Sequence, residues 1–230
     1  QKNGVDIQLN SKADAACLQD YDEIVLATGV DPRIPAIEGI THPKVMTYHE
    51  ALAAIKTPGK RVAVIGAGGI GFDVAEWLTH DAQSRAQFFD EWGIDPMGDN
   101  RGGLKQQEIS PGTREVFLLQ RKPEKMGKRL GKTTGWIHRL GLRHKNVHMM
   151  PGVTYQRIDD EGLHLIINDE PELLQVDSVI VCAGQIEQNG LYEPLKHQGK
   201  SVHLVGGAYK ALELDARHAI DQASRLAALL

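Results

Sequence analysis

Apolar positions in this chain gather into short runs separated by glycine, proline and charge. Residues 21–29 (YDEIVLATG) read as a buried strand ending in a small-residue turn, and Pro32 and Pro35 are expected to exclude regular structure just after it. The turn-rich TPGK of residues 57–60 leads into the apolar run 61–65 (RVAVI), which meets a glycine cluster at residues 66–71. Strand, glycine turn and helix is the order this predicts, because Phe72, Ala75 and Leu78 recur at helical spacing. Residues 80–114 are polar, glycine-rich and aperiodic apart from pieces such as FFDEWGID at 88–95, and read as an insertion.

A second buried strand is expected at 115–119 (EVFLL), and a short helix at 134–142 capped by Thr133 or Thr134. Further strands are expected at 147–150, 162–167, 178–182 and 202–205. The strand at 178–182 runs into Ala183-Gly184 much as the first runs into Ala27-Thr28-Gly29, so the two ends suggest related junctions. Residues 213–230 form the last expected helix, with Ala216, Ala219, Ile220, Ala223 and Ala227 on one face whose small residues permit close packing. Alternation of strand and helix defines an α/β chain with a parallel sheet.

Composition narrows the function classes. With 230 residues the chain suits one domain or two, and 41% apolar with 24% charged residues is ordinary for a globular protein. A net charge of −4 gives no concentrated basic patch, so neither nucleic acid nor a membrane surface is expected as a partner. The two cysteines, Cys17 and Cys182, form no CxxC, and a reducing cytoplasmic setting is the simplest expectation. Cys182, within an apolar strand, reads as a core thiol. The ten histidines are scattered without HxH or HExxH spacing, so no metal site is expected. Because it begins at Gln1 and runs straight into a strand-like pattern, the chain is expected to be a piece of a longer protein.

The chemistry-bearing motif is Gly66-Ala67-Gly68-Gly69-Ile70-Gly71, a GxGxxG placed between a buried strand and a helix. In that context the first glycine permits the tight turn, the second lets a pyrophosphate approach the backbone, and the third lets helix and strand pack closely. The end of the next strand selects the nucleotide. An acid there would accept the ribose 2′-hydroxyl of NAD, whereas this chain has Gln120-Arg121-Lys122, two cations suited to the 2′-phosphate of NADPH. Lys125 and Lys128 extend the same basic stretch. The loop GKRLGKT at 127–133 is one residue short of a Walker A motif and lacks a strand just before it, which disfavours a P-loop. His138 and Trp136 read as a surface helix residue and a packing residue.

Together, ATGVDPRIP at 27–35, GAGGIG at 66–71 and CAGQ at 182–185 resemble flavoproteins with two dinucleotide-binding domains. DEWGID at 90–95, GKTTGWIHR at 131–139, PGVTYQRIDDEGLH at 151–164 and ELDARHAI at 213–220 look like the carboxy-terminal third of bacterial NADPH-dependent 2,4-dienoyl-CoA reductases. The resemblance implies a Rossmann-like NAD(P)-binding domain inserted into part of an FAD-binding domain: residues 1–45 and 185–230 would be FAD-domain segments, and 46–184 the NADPH domain with its insertion at 80–114. It also implies FMN and a 4Fe–4S cluster in an amino-terminal barrel region outside this chain, with electrons passing from NADPH to FAD and onward to a dienoyl-CoA in fatty acid β-oxidation. The isolated chain would then be inactive. Carried over by residue, Gly66 to Gly71 would hold the NADPH pyrophosphate and Arg121 with Lys122 its 2′-phosphate. Thr28, Gly29 and Val30 would lie near FAD, as would Gly207, where many relatives carry an Asp, and Glu213, Leu214 and Asp215 at the start of the last helix. A free-standing NADPH-binding electron-transfer module, serving a separate flavoprotein, is the alternative.

Overall fold

The computed structural model describes residues 3–211 and 215–230. In chain order its strands are β1 (Glu23–Leu26), β2 (Val30–Pro32), β3 (Val45–Thr47), β4 (Arg61–Ile65), β5 (Glu115–Gln120), β6 (His148–Pro151), β7 (Thr154–Ile158), β8 (Leu163–Ile167), β9 (Glu170–Leu174), β10 (Ser178–Val181), β11 (Gln185–Glu187) and β12 (Ser201–Leu204). The helices are α1 (Tyr48–Leu52), α2 (Gly69–Thr79), α3 (Arg85–Trp92), α4 (Gly135–His144), α5 (Tyr192–His197) and α6 (Ala216–Ala227). Two compact units result, one formed by Gln1–Asp31 with Gln185–Leu230, the other by Pro32–Gly184.

The second unit is built on a five-stranded sheet of order β3-β10-β4-β5-β6, parallel throughout. Strand side chains alternate between faces, and here both faces are covered. Val62, Val64, Val116, Leu118 and Ile180 pack with Phe72, Val74, Ala75 and Leu78 of α2 and Leu142 of α4. Their neighbours Ala63, Ile65, Phe117, Leu119, Val179 and Val181 pack against Ile158, Leu163, Leu165 and Leu174 of a three-stranded antiparallel sheet, β7-β8-β9. That is why RVAVI and EVFLL are apolar after their charged first residues: a parallel strand covered on both faces has no solvent side on which to place polar residues. The Rossmann-like α/β architecture expected from the sequence is present.

Residues 80–114 carry α3 and a single turn of 3-10 helix at Arg101–Gly103. Helix α3 starts at a capping box between Ser84 and Gln87 and stops at Gly93, which is left-handed at φ 63. Its Glu91 makes a buried ion pair with Lys145 at 2.9 Å, both side chains 4% exposed, and Lys145 Nζ also donates to the Ser110 carbonyl at 3.2 Å. The segment is thereby fastened to the chain just beyond α4.

In the first unit β1 and β12 pair in parallel, and Ile24, Leu26 and Val202 pack with Leu195 of α5. Three expectations need correction. Pro32 does not exclude regular structure: it ends β2, which pairs with β11 in a two-stranded ladder, where a missing N–H at a strand's last position interrupts nothing. Thr134 sits at the N-cap of α4, but neither it nor Thr133 supplies a side-chain cap. The face of α6 nearest its unit carries Ala219, Gln222 and Leu226; Ala216, Ile220, Ala223 and Ala227 are exposed, Ile220 at 66%.

Candidate functional site

The glycine loop joins β4 to α2 at the carboxyl edge of the parallel sheet. Gly66 is left-handed at φ 110, and a Cβ there would lie 2.8 Å from the Cys182 carbonyl carbon. A Cβ on Gly71 would collide with the carbonyl oxygen of Gly66. Around Gly68 and Gly69, in contrast, a Cβ would meet nothing within 4 Å, and both residues are exposed. Two of the three motif glycines are therefore required by the fold, and the middle one leaves open space beside the start of a helix. Gly68 is the N-cap of α2, with no side-chain cap and no acidic residue in the first turn, so the positive end of the helix is not neutralised locally.

Parallel register brings the end of β5 beside this loop: Leu119 pairs with Ile65, and the Gly66 N–H donates to the Leu119 carbonyl at 3.0 Å. The chain then turns through exposed Arg121 and Lys122. Neither makes an ion pair among the described residues. Gln120 Nε2 donates to the carbonyls of Lys122 and Glu124, each at 2.8 Å, and the Gly152 N–H donates to the same Lys122 carbonyl at 3.2 Å. Farther along, Met126 is buried in the core, Arg139 Nη1 donates to the Gly127 carbonyl at 3.2 Å, and Lys128 pairs with Glu124 at 2.9 Å. Lys128 is thus already engaged, while Lys125 is exposed.

On the other side of β4, the Cys182 N–H donates to the Ile65 carbonyl at 2.8 Å, placing the end of β10 against the glycine loop. Arg33 spans the residues that follow, its guanidinium donating to the Ala183 carbonyl and its N–H to that of Gly184 at 3.0 Å. The sequence contained Arg33 within ATGVDPRIP, but nothing in its spacing foretold this clamp. Cys182 itself is buried, and burial pushes its thiol up to about 12. His138 is half-buried and approaches Glu76 of α2 at 3.3 Å. Trp136 is corrected from a packing residue to an exposed one, 55% accessible.

In the first unit the Thr28 hydroxyl donates to the Gln188 carbonyl, and the Gly29 carbonyl accepts the Gln188 N–H at 3.1 Å. Gly207 is buried in a turn of 3-10 helix, beside a Gly206 N–H that donates to Gln222 Oε1 at 2.8 Å. Asp215 caps α6 by accepting the His218 N–H at 2.7 Å. Glu213 and Leu214 lie outside the described residues. Val30 begins β2. A separate cluster, Asp159, Glu161 and His164, places its ligand atoms within 4.8 Å of one another. The Asp159 carboxylate is already engaged by Arg157 at 2.9 Å and His164 at 2.8 Å, which hold it well below the usual carboxylate range.

A glycine turn and a helix start at the carboxyl edge of a parallel sheet, where β10 and β5 flank β4 on either side, is the arrangement of Rossmann-like nucleotide-binding domains. The chain belongs to the pyridine nucleotide-disulphide oxidoreductase family, whose model matches residues 1–202. It is 25% identical over 225 residues to a metal reductase of Desulforamulus reducens, covering 94% of this chain and 33% of that protein. It is 26% identical over 223 residues to a cinnamate reductase of Clostridium sporogenes, covering 90% of this chain and 27% of that one. The chain therefore spans about a third or less of these relatives. Its fold is shared with 2-naphthoyl-CoA reductase, at a TM-score of 0.73 and 22% identity over 95% of this chain and 29% of the other. Histamine dehydrogenase from Rhizobium sp. 4-9 also shares it, at 0.61 and 16% over 94% and 32%. Among the described residues no helix is long and apolar enough to cross a membrane.

Proposed function

We propose that this chain is the NADPH-binding part of a 2,4-dienoyl-CoA reductase, the part from which a hydride passes to FAD, with portions of the FAD-binding domain in the unit formed by residues 1–31 and 185–230. The observation that carries the nucleotide reading is the open backbone at Gly68 and Gly69, just past a Gly66 N–H bonded to the Leu119 carbonyl, together with the exposed Arg121 and Lys122 that follow β5 and the lack of an acid at that strand's end. NADPH fits the groups present. The uncapped start of α2, next to the open space at Gly68, suits a pyrophosphate, while Arg121 can fork onto a 2′-phosphate that Lys122 attracts as a point charge.

NADPH supplies the hydride and FAD accepts it; the chain supplies position and field. Gly66 and Gly71 fix the loop, the unneutralised start of α2 favours the phosphates, and the Arg121–Lys122 turn selects the 2′-phosphorylated form. Two of the FAD-side groups are engaged within their own unit, the Thr28 hydroxyl with the Gln188 carbonyl and the Asp215 carboxylate with the His218 N–H. We therefore expect the chain to bind NADPH and to hold FAD weakly without the rest of that domain. A 4Fe–4S cluster would be held by the remainder of such an enzyme, because two cysteines, one of them buried in the sheet, cannot supply four ligands; the resemblance alone assigns FMN there too.

Named relatives that reduce other substrates leave the dienoyl-CoA assignment resting on the sequence resemblance at residues 90–95, 131–139, 151–164 and 213–220. The nucleotide reading is tested by calorimetric titration of the chain with NADP⁺ and NAD⁺, repeated on an Arg121→Ala, Lys122→Ala variant. A wild-type preference for NADP⁺ that disappears in the variant is expected. Equal affinity for both nucleotides, or preference for NAD⁺, would overturn it.

A further inference from the structure

We propose that Gln120 is a positioning residue for NADPH selection: its side-chain amide shapes the turn that presents Arg121 and Lys122, and it keeps an acid out of the place where NAD enzymes use one. The inference rests on the NADPH reading and adds to it a residue that positions the two cations.

Gln120 is the last residue of β5, and its main-chain carbonyl accepts the Val153 N–H at 3.0 Å. Its Nε2 donates to two carbonyls of the following turn, those of Lys122 and Glu124, both at 2.8 Å. A primary amide is suited to this task because its single nitrogen carries two N–H donors. With the Gly152 N–H donating to the Lys122 carbonyl at 3.2 Å, the backbone on which Arg121 and Lys122 ride is tied both to the end of β5 and to the link between β6 and β7. Both cationic side chains remain exposed.

Two consequences follow for nucleotide choice. A turn whose backbone is ordered before the ligand arrives loses less freedom on binding, so the charges act at fuller strength. A carboxylate at position 120, the group that accepts the ribose 2′-hydroxyl in NAD sites, has no donor for the Lys122 and Glu124 carbonyls and would repel them. The geometry of the turn and the absence of an acid are thus one feature, carried by one side chain.

The test is calorimetric titration of the full chain and of its Gln120→Ala and Gln120→Glu variants with NADP⁺, NAD⁺ and 2′,5′-ADP, together with thermal unfolding. Gln120→Ala is expected to weaken NADP⁺ and 2′,5′-ADP by about tenfold, the effect of losing two neutral hydrogen bonds, and to leave NAD⁺ within about twofold. Gln120→Glu is expected to weaken NADP⁺ further. Unchanged NADP⁺ affinity in Gln120→Ala, or an equal fall for NADP⁺ and NAD⁺, overturns the inference while leaving the role of Arg121 and Lys122 intact. A wild-type chain that does not prefer NADP⁺ overturns the nucleotide reading and this inference with it.

Discussion

Gly71 of α2 stands so close to Gly66 that a Cβ on it would collide with the Gly66 carbonyl oxygen, and its nearest side-chain neighbour, Leu118 Cδ1, would be at 3.6 Å. Backbone cannot yield as a flexible side chain does. Gly71→Ala is therefore expected to destabilise the fold by about 3 kcal/mol, as an overpacked core position does. Gly68→Ala meets open space and should change stability by no more than about 1 kcal/mol, while weakening NADP⁺ by roughly tenfold because the methyl group stands where phosphate approaches. Thermal unfolding and titration of the two variants separate these effects. Equal loss of stability in both would contradict this division of labour between the glycines.

The buried Glu91–Lys145 pair gives the chain a pH signature. Burial pushes the Glu91 carboxyl up, but hydrogen bonds from Lys145 and Gln83 outweigh it and hold the group below its usual value. A carboxyl depressed in the folded state contributes stability above its unfolded pKa and loses it as pH falls through the folded one. Lys145→Met removes the compensating charge and should cost about 3–5 kcal/mol at pH 7. Burial, the largest single influence, then faces only the Gln83 hydrogen bond and raises Glu91, so the sign reverses: relative to wild type, the variant should regain stability between pH 7 and pH 5. Urea unfolding at the two pH values measures this, and a constant difference would show that Glu91 in the variant reaches water.

The sheet was legible because its strands are covered on both faces. RVAVI, EVFLL and SVIV contain only apolar or small residues over their central positions, since α2 and α4 lie on one side and β7–β9 on the other. The covering antiparallel sheet was harder to read. A strand at 162–167 is expected and is found as β8 (Leu163–Ile167), but β7 and β9 are not expected: Glu170–Leu174 buries only Leu174, so its sequence carries no two-residue alternation. Helix α1 was missed although Thr47 and Glu50 form a capping box, a Thr-x-x-Glu signature readable in the sequence. Gln120 and Arg33 were legible as residues but not in what they do, because each acts on carbonyls whose positions only the folded chain sets.

The two thiols should react very differently. Cys17 is exposed, whereas Cys182 is buried among sheet residues and pushed up to about 12 by burial, so almost none of it is thiolate at pH 8. A thiol-disulfide reagent at pH 8 is expected to modify one cysteine quickly in the native chain and both in denaturant. Rapid native labelling at Cys182, located by peptide mass, would mean that the junction between β10 and the glycine loop opens readily.

Helix α6 depends on one polar side chain more than on apolar contact. No residue of α6 is fully buried, yet Gln222 accepts the Gly206 N–H at 2.8 Å and donates to the Leu204 carbonyl at 3.2 Å, joining the helix to the end of β12. Ala219 adds the close approach, its Cβ lying 3.4 Å from the position a Cβ on Gly206 would take. Gln222→Ala removes both hydrogen bonds and leaves the Gly206 N–H without its partner, a loss of about 1–3 kcal/mol that falls on this helix rather than on the parallel sheet of the other unit. Amide hydrogen exchange should therefore quicken across Ala216–Ala227 by about tenfold or more, while exchange in β4 and β5 stays as in wild type. Equal protection of α6 in the variant would mean that Leu226 and Ala219 hold the helix by packing alone.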